Sequence, residues 1–566
     1  MNVMKGSDYV IIGGVAAGPK TAATLARRLP KASITLFQKE EWMSYAPCGM
    51  PYFASGELSS FEELTLTPYG VTRDPAFFKG AKGVEAVTGA EVVRIDRKNK
   101  TVTVRMVKSG EIFEHAYGKL VIATGAVPNK PSFPMTESPL VRPFTRPDDA
   151  VNFRRIAEQG KVSEAVVIGA GFIGCELVDA LRDMWGIETT LIEMEDQLLP
   201  NVLDSEMAAI VHRTMDKEGI RIITGAEVEG IDLDSNEKPV VQLKGQGRIV
   251  SDYVFLCLGV RPEARLASES GLNIGETGGI VVNRNLQTSD PDIYAGGDCI
   301  ESYHQITGER FFLSMGSLAN RHGRVIAENL AGGNTEFPGL LGAFLLKVLD
   351  MNIGSVGLSQ HAAERAGFRV KAVWGTFPDK PDYHPEKQTF VLKLIYNKSD
   401  GRLLGLQGVG AGNVCRRVDV FSSFLQRKAT LDDLIDFEHG YAPPYSEPLD
   451  PLYQMATIAQ AQQNGISFIQ PGLDFSTFAG DVLWLDVRET EEVATKPLPS
   501  AIADTSQNVV NVPLNNVRER LDKLERGKKI IVICQRGSRS YQVALTLKQA
   551  GFDDVHVLGG GLAALM

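Results

Sequence analysis

The stretch AVVIGAGFIGCELVDALRDMWGIETTLIE, residues 165–193, decides the fold. An apolar strand leads into GAGFIG (Gly169, Gly171, Gly174), a helix runs to about Met184, and a second strand ends at Glu193. Strand, glycine turn, helix and strand in this order form a βαβ unit. The glycines permit a tight turn and close approach of a pyrophosphate, and the helix N-terminus favours its negative charge. A carboxylate ending the second strand accepts hydrogen bonds from a ribose 2′-hydroxyl and repels a 2′-phosphate, which favours NADH over NADPH.

A second βαβ opening lies near the start of the chain. YVIIGG reads as a strand over 9–13, followed by a helix from about Pro19 to Arg28 and a strand over 33–37. Gly13 and Gly18 hold the outer glycine positions, Val15 stands at the middle one, and Gln38 replaces the usual acid. An amide there still bonds a ribose, less specifically. Residues 84–125 read as strands closing in LVIATGA, and residues 220–260 alternate in the same way and close in YVFLCLG. IVVN at 280–283, IYAGGD and a helix from about Ser317 to Leu330 complete the first domain.

Beyond it, residues 338–450 read as an α+β unit with strands near 370–377, 389–396 and 404–411 and a helix near 414–427. APPYSEPLDP (442–451) and the helix after it read as a connector. A separate small α/β pattern begins at Val482: LWLDVRE, a helix over 516–525, IIVIC, a helix from Ser540, then VHVLGG. The expected class is α/β, with two Rossmann-like dinucleotide-binding domains, an α+β domain and a small C-terminal α/β domain. Boundaries are expected at 1–150 and 281–332 for the first domain, 151–280 for the second, 333–455 for the third and 466–566 for the fourth.

The bulk numbers agree with several domains. The chain has 566 residues, 43% hydrophobic, and a net charge of 59 − 69 = −10. That balance disfavours nucleic acid as a general partner, because phosphate binding needs clustered Lys and Arg. No charged-then-apolar leader precedes the first strand, and the apolar run 339–346 is too short to span a bilayer. Six cysteines without a CxxC pair make no disulfide framework and no recognisable metal site, and fit a reducing, cytoplasmic compartment.

Cys48 carries the redox reading. It sits in SYAPCGMPYF, with no second cysteine five residues on, where Phe53 stands. Proline and glycine around it mark a turn. A lone redox thiol has two options: oxidation to a sulfenic acid, or a mixed disulfide with a small thiol. Cys175 and Cys257 read as core residues, and Cys299 and Cys415 receive no role.

Two dinucleotide modules in this order, with ATGA (Ala123, Thr124, Gly125) and TSDPDIYAGGD ending at Asp298, resemble the pyridine nucleotide-disulfide oxidoreductases. The resemblance implies FAD in the first module, with Asp298 on its ribityl chain, and NADH in the second. The peroxidase type carries a histidine where this chain has Ala16. SYAPCGMPY is similar to the SFxNCGLPY segment of coenzyme A-disulfide reductases and NADH-dependent persulfide reductases, with Pro47 in place of the common Asn. HGYAPPYSEP and DYHPE resemble that group's interface segments, which implies a homodimer with Tyr383 and Tyr441 as acids at the cysteine. His439 reads as a surface residue. By position, Ser44 and Arg27 or Arg28 belong to a coenzyme A pocket.

Residues 466–566 resemble a rhodanese domain. CQRGSRS has the CxxGxRS spacing, a loop that can wrap N–H groups around the Cys534 sulfur, with Arg536 and Arg539 adding positive charge. The usual GHIPGA turn is replaced by LPSAIADTSQNVVNVP (498–513). The resemblance implies NADH-driven reduction of a persulfide through Cys48, with Cys534 as sulfane-sulfur carrier. Coenzyme A-disulfide reduction, NADH oxidase or peroxidase activity, and a sulfur-relaying sensor are the alternatives.

Overall fold

The computed structural model describes residues 5–473, 475–478, 482–503 and 508–565. The chain forms two compact units, Met1–Met194 with Ala226–Leu340, and Glu195–Gly225 with Leu341–Met566.

In the first unit, the strand Lys5–Ile12 pairs in parallel with Ile34–Phe37 on one side and with Ile112–Ile122 on the other. Ile293–Ala295 adds in parallel to Leu120–Ile122, so the late segment does return to the first sheet. The helix Ala17–Arg28 begins two residues before the expected Pro19. Val10, Ile11, Leu36, Val121 and Ile293 are fully or almost fully buried, as befits parallel strands covered on both faces. In the second module, Glu164–Ile168 pairs with Glu188–Ile192 and Tyr253–Leu256, and Phe172–Trp185 is the crossover helix. IVVN is not a strand: Ile280 makes only isolated bridges to Ile274 and Ile300.

The second unit holds an antiparallel five-stranded sheet in the order Phe344–Val348, Met351–Gly357, Leu403–Gly410, Thr389–Asn397, Val370–Pro378. The first two of these strands were not anticipated. The apolar run at 339–346 hid the first, whose burial alternates residue by residue. The helix Pro451–Gln463 is no loose connector. Tyr396 donates its hydroxyl to Gln462 Oε1 (2.9 Å), and Gln462 Nε2 donates to the carbonyl of Ala372 (3.2 Å), which fixes the helix to the sheet.

The segment Glu195–Gly225 belongs to this unit through buried charge. Glu206 accepts hydrogen bonds from Trp374 Nε1 (2.9 Å), Lys393 Nζ (2.5 Å) and Gln470 Nε2 (3.0 Å), and Lys393 also pairs with Asp204 (2.8 Å).

The C-terminal sheet is parallel, in the order Ser467–Ile469, Val555–Leu558, Lys529–Ile533, Val482–Asp486, Val509–Asn511. The expected helix over 516–525 is two short 3₁₀ turns, Leu514–Asn516 and Arg518–Lys523. Of that stretch only Val517 and Leu524 are buried, too little apolar surface to hold an α-helix against a core. The helix expected from Ser540 starts at Ser538. Residues 504–507 of the altered 498–513 turn lie outside the described residues. Among the described residues no helix is long and apolar enough to cross a membrane.

Candidate active site

The two glycine turns have the same construction. Gly13 and Gly169 have φ of +105° and +103°, and each receives the carbonyl of the neighbouring strand on its N–H, from Phe37 (2.8 Å) and Ile192 (2.7 Å). A Cβ at Gly13 would lie 2.0 Å from the Ala123 carbonyl oxygen, and one at Gly169 would lie 2.3 Å from that of Cys257. Only glycine fits at either position. Gly18 and Gly174 sit in the first turns of the following helices. Gly171 faces no protein atom within 4 Å, as does Gly125, and Val15 takes the place of Gly171 in the first module. Each turn meets a helix N-terminus, and the pair fits two pyrophosphates.

Gln38 is committed to the protein. Its Oε1 accepts from Gly14 N–H (2.7 Å), and its Nε2 donates to Glu40 (2.7 Å) and the Trp42 carbonyl (3.1 Å). Glu193 Oε2 accepts from Ala170 N–H (2.7 Å). Thr124 donates its hydroxyl to the Glu263 carbonyl (2.6 Å). Asp298 accepts from Ser314 Oγ (2.6 Å), and burial raises its carboxyl pKa against the lowering effect of that bond. A polar group of this kind, one residue before Cys299, whose sulfur reaches the Ile122 carbonyl, fits the polyol chain of a flavin dinucleotide.

Cys48 lies in the 3₁₀ turn Pro47–Gly49, which leads directly into the helix Met50–Ser55. That helix is clamped. Arg154 donates to the carbonyls of Phe53 (2.7 Å) and Leu58 (2.9 Å), and Trp185 Nε1 donates to that of Ala54 (2.8 Å). Phe53 is buried, edge-on to Phe61 with ring centroids 5.5 Å apart. The position of a second redox cysteine is therefore filled by an aromatic core contact.

Although the residue is exposed, the protein packed around Cys48 pushes its thiol up, and the Glu176 and Asp298 carboxylates add to this. Glu176 itself is half-buried, and burial raises its carboxyl to about 7. Sequence reasoning missed this residue. Its signal was its place two residues past the last glycine of GAGFIG, on the helix that packs against the cysteine turn.

Ser44 is buried with φ +49°, and its N–H donates to the Gly14 carbonyl (2.7 Å). Arg27 is exposed at the end of its helix and donates to Thr24 Oγ1 (3.2 Å). Cys175 and Cys299 are buried, Cys257 is half-buried, and burial raises all three thiols.

The remaining candidates lie in the second unit. Tyr383 and Tyr441 are exposed and hydrogen-bonded to each other through their side chains, a bond that raises the Tyr441 pKa. Cys534 is buried, and its sulfur accepts from the N–H groups of Gly537 (3.1 Å) and Ser540 (3.4 Å). This is the N–H cradle expected for a thiolate or persulfide. The two arginines of the loop are not open forks. Arg539 pairs bidentately with Glu492 (2.8 and 2.9 Å), and Arg536 pairs with Asp382 (2.6 and 3.2 Å). His439 Nε2 lies 3.2 Å from the Glu447 carbonyl. Among the described residues no group of three or more His, Cys, Asp or Glu side chains could hold a metal ion.

Residues 7–310 match the pyridine nucleotide-disulphide oxidoreductase family, residues 345–452 its dimerisation domain, and residues 477–566 the rhodanese-like domain. The "NAD(P)H sulfur oxidoreductase (CoA-dependent)" of Pyrococcus furiosus is 32% identical, over 80% of this chain and 99% of that protein. A "Coenzyme A disulfide reductase" of Staphylococcus aureus is 30% identical, over 78% of this chain and 97% of that protein. Among solved structures, "a NAD-Dependent Persulfide Reductase from A. fulgidus" is 38% identical with a TM-score of 0.93, covering 99% of this chain and all of that one.

Proposed function

From a chain that belongs to the pyridine nucleotide-disulphide oxidoreductase family and ends in a rhodanese-like domain, we propose an NADH-driven reductase of persulfides, coenzyme A persulfide foremost, with Cys534 as sulfur carrier. The observation that carries this reading is the Cys534 sulfur held by two backbone N–H groups, in a chain whose redox cysteine has Phe53 where a partner thiol would stand. A lone redox thiol needs sulfur from outside its own site, and a sulfane carrier supplies it. The family relationship and the double glycine cradle make the enzyme a flavoprotein using FAD and a pyridine nucleotide. Glu193 favours NADH.

The chain's own residues account for the chemistry as follows. The Cys48 thiolate attacks the substituted sulfur of R–S–SH, forming Cys48–S–S–R and releasing hydrosulfide. FAD, when bound, relays two electrons from the nicotinamide to this disulfide. The bond breaks, Cys48 leaves as thiolate, and R–SH takes the proton that NADH brought as hydride. Asp298, Thr124 and the turns at Gly13 and Gly18 hold the flavin, and Gly169, Gly171, Gly174 and Glu193 hold the nicotinamide nucleotide. Tyr383 and Tyr441 pass that proton to the departing R–S⁻. Ser44 and Arg27 bind the coenzyme A arm. The dimerisation domain supports a homodimer, and free cysteines suit a cytoplasmic setting. The domain boundaries are those read at 1–150 with 281–332, 151–280, 333–455 and 466–566.

The test is anaerobic NADH oxidation by the purified flavoenzyme with coenzyme A persulfide, following sulfide, against the same assay with coenzyme A disulfide. Faster persulfide turnover with one sulfide per NADH supports the reading. Faster disulfide turnover without sulfide replaces it with a coenzyme A-disulfide reductase, the reading that the S. aureus relative favours.

A further inference from the structure

Three distant segments of the second unit meet in one polar cluster. Arg536 belongs to the Cys534 loop, and its guanidinium reaches Asp382 through Nη2–Oδ2 (2.6 Å) and Nη1–Oδ1 (3.2 Å). Asp382 immediately precedes Tyr383, and Tyr383 is hydrogen-bonded to Tyr441. Lys387 also donates to Asp382 (2.9 Å), and together, Arg536 first, they hold the Asp382 carboxyl down at about 2. The Glu447 carboxyl lies near the same charges: burial raises its pKa, as does Asp382, while Arg536 and Lys387 oppose that rise.

The floor of the loop is anchored on its own account. The carbonyls of Cys534 and Gln535 accept from Leu562 N–H and Ala563 N–H, both at 2.9 Å. A Cβ at Gly561 would lie 2.6 Å from the Cys534 carbonyl oxygen, so the C-terminal turn presses directly on the loop. The same turn is bonded to the strand that leads to Asp382: Gly560 N–H donates to the Trp374 carbonyl (3.1 Å), and Thr376 Oγ1 donates to the Gly560 carbonyl (2.6 Å). The backbone thus already holds the carrier loop to the interface sheet. The ion pair adds nothing the fold requires, since it is exposed (side chains 36% and 55%), and exposed pairs contribute little stability. What it joins is the rim of the sulfur loop and the residue next to Tyr383.

We propose that Arg536–Asp382 is a positioning contact that aligns the sulfur-carrying loop with the Tyr383–Tyr441 pair, so that a thiol arm charged at Cys534 leaves past those tyrosines. This rests on the persulfide-reductase reading above. The aligned step is Cys534–S–S⁻ + R–SH → Cys534–S⁻ + R–S–SH. The sulfur–sulfur bond to Cys534 breaks, the one to R forms, the proton moves to the new persulfide, and no net oxidation occurs.

The experiment uses the full-length flavoenzyme, loaded at Cys534 with polysulfide, desalted and mixed anaerobically with coenzyme A and NADH. Asp382→Asn is expected to slow the single burst of NADH oxidation about tenfold. Its removal of the loaded sulfur by cyanide, and its turnover of preformed coenzyme A persulfide, stay within twofold of native. Asp382→Glu, which keeps the ion pair, restores most of the burst rate. An unchanged burst in Asp382→Asn overturns the proposal. So does parallel loss of the burst and of cyanide reactivity, which would make the pair a support for the loop alone. The native enzyme's response to preformed coenzyme A persulfide reports separately on the underlying reading. If that response is absent, the functional reading fails and the alignment has no reaction to serve.

Discussion

Gln38 and Glu193 occupy the same place in two modules: each accepts a 2.7 Å hydrogen bond from the backbone N–H that follows the first glycine, Gly14 in one and Ala170 in the other. The amide of Gln38 is further tied to Glu40 and Trp42, whereas Glu193 brings a carboxylate to the strand end. Charge at this position therefore distinguishes the modules. Glu193→Ala is expected to reduce the preference of kcat/KM for NADH over NADPH by about tenfold, roughly 1.4 kcal/mol. An unaltered ratio of the two coenzymes would assign the discrimination elsewhere.

Cys48→Ser should lower persulfide turnover by at least about a thousandfold, because the nucleophile of a covalent step is removed. Its neighbours are packed by Phe53, Phe61 and Arg154 rather than by the thiol. The variant should therefore still bind FAD and still bleach the flavin band on adding NADH. Retained persulfide turnover would move the chemistry away from this residue.

Glu176 gives the site a pH dependence of known sign. Its carboxyl is raised from 4.5 to about 7 by burial, so the folded chain favours the neutral form. Its contribution to stability is complete below about 4.5 and is lost as pH rises through 7. In flavin-free protein, Glu176→Gln should gain on native by about 2–3 kcal/mol between pH 5 and 8 in urea titrations. Because the Glu176 carboxylate also raises the Cys48 thiol, the same variant should be alkylated faster at Cys48 at pH 8. Parallel pH profiles for both proteins would contradict this account.

The tyrosine pair should behave as one unit. Tyr441→Phe is expected to lower kcat about a hundredfold, in the range of a lost general acid. Because Tyr383 and Tyr441 are hydrogen-bonded, Tyr383→Phe with Tyr441→Phe should lose less than the sum of the single free-energy changes. Strict additivity in the double-variant cycle would separate their roles.

Asp486 and Arg488 form a buried pair in the C-terminal domain, each side chain 1% exposed, with Arg488 Nη2 at 2.7 Å from Asp486 Oδ2. Arg488→Met leaves an uncompensated buried carboxylate and should destabilise that domain by about 3–5 kcal/mol. Calorimetry would then show the rhodanese-like domain melting earlier; an unmoved transition would indicate that the carboxylate finds another donor.

The modules and their order were legible in the residues because their causes are local. A glycine turn, the strand before it and the acid or amide closing the next strand lie within about thirty residues, and each is set by backbone sterics and hydrogen-bonding needs. The same locality explains the misreadings. The 516–525 stretch has helix-forming residues but too little buried surface; the strand Met351–Gly357 exists because Leu403–Gly410 offers it an edge, and Phe344–Val348 because Met351–Gly357 then offers the next one. Glu176 beside Cys48, the Glu206–Lys393 anchor, and Arg536 on Asp382 join residues more than a hundred positions apart. Periodicity and motif spacing carry no information about such pairs. Packing decides them, by bringing separate segments together and by removing enough water to shift a carboxyl or make a charge depend on one partner.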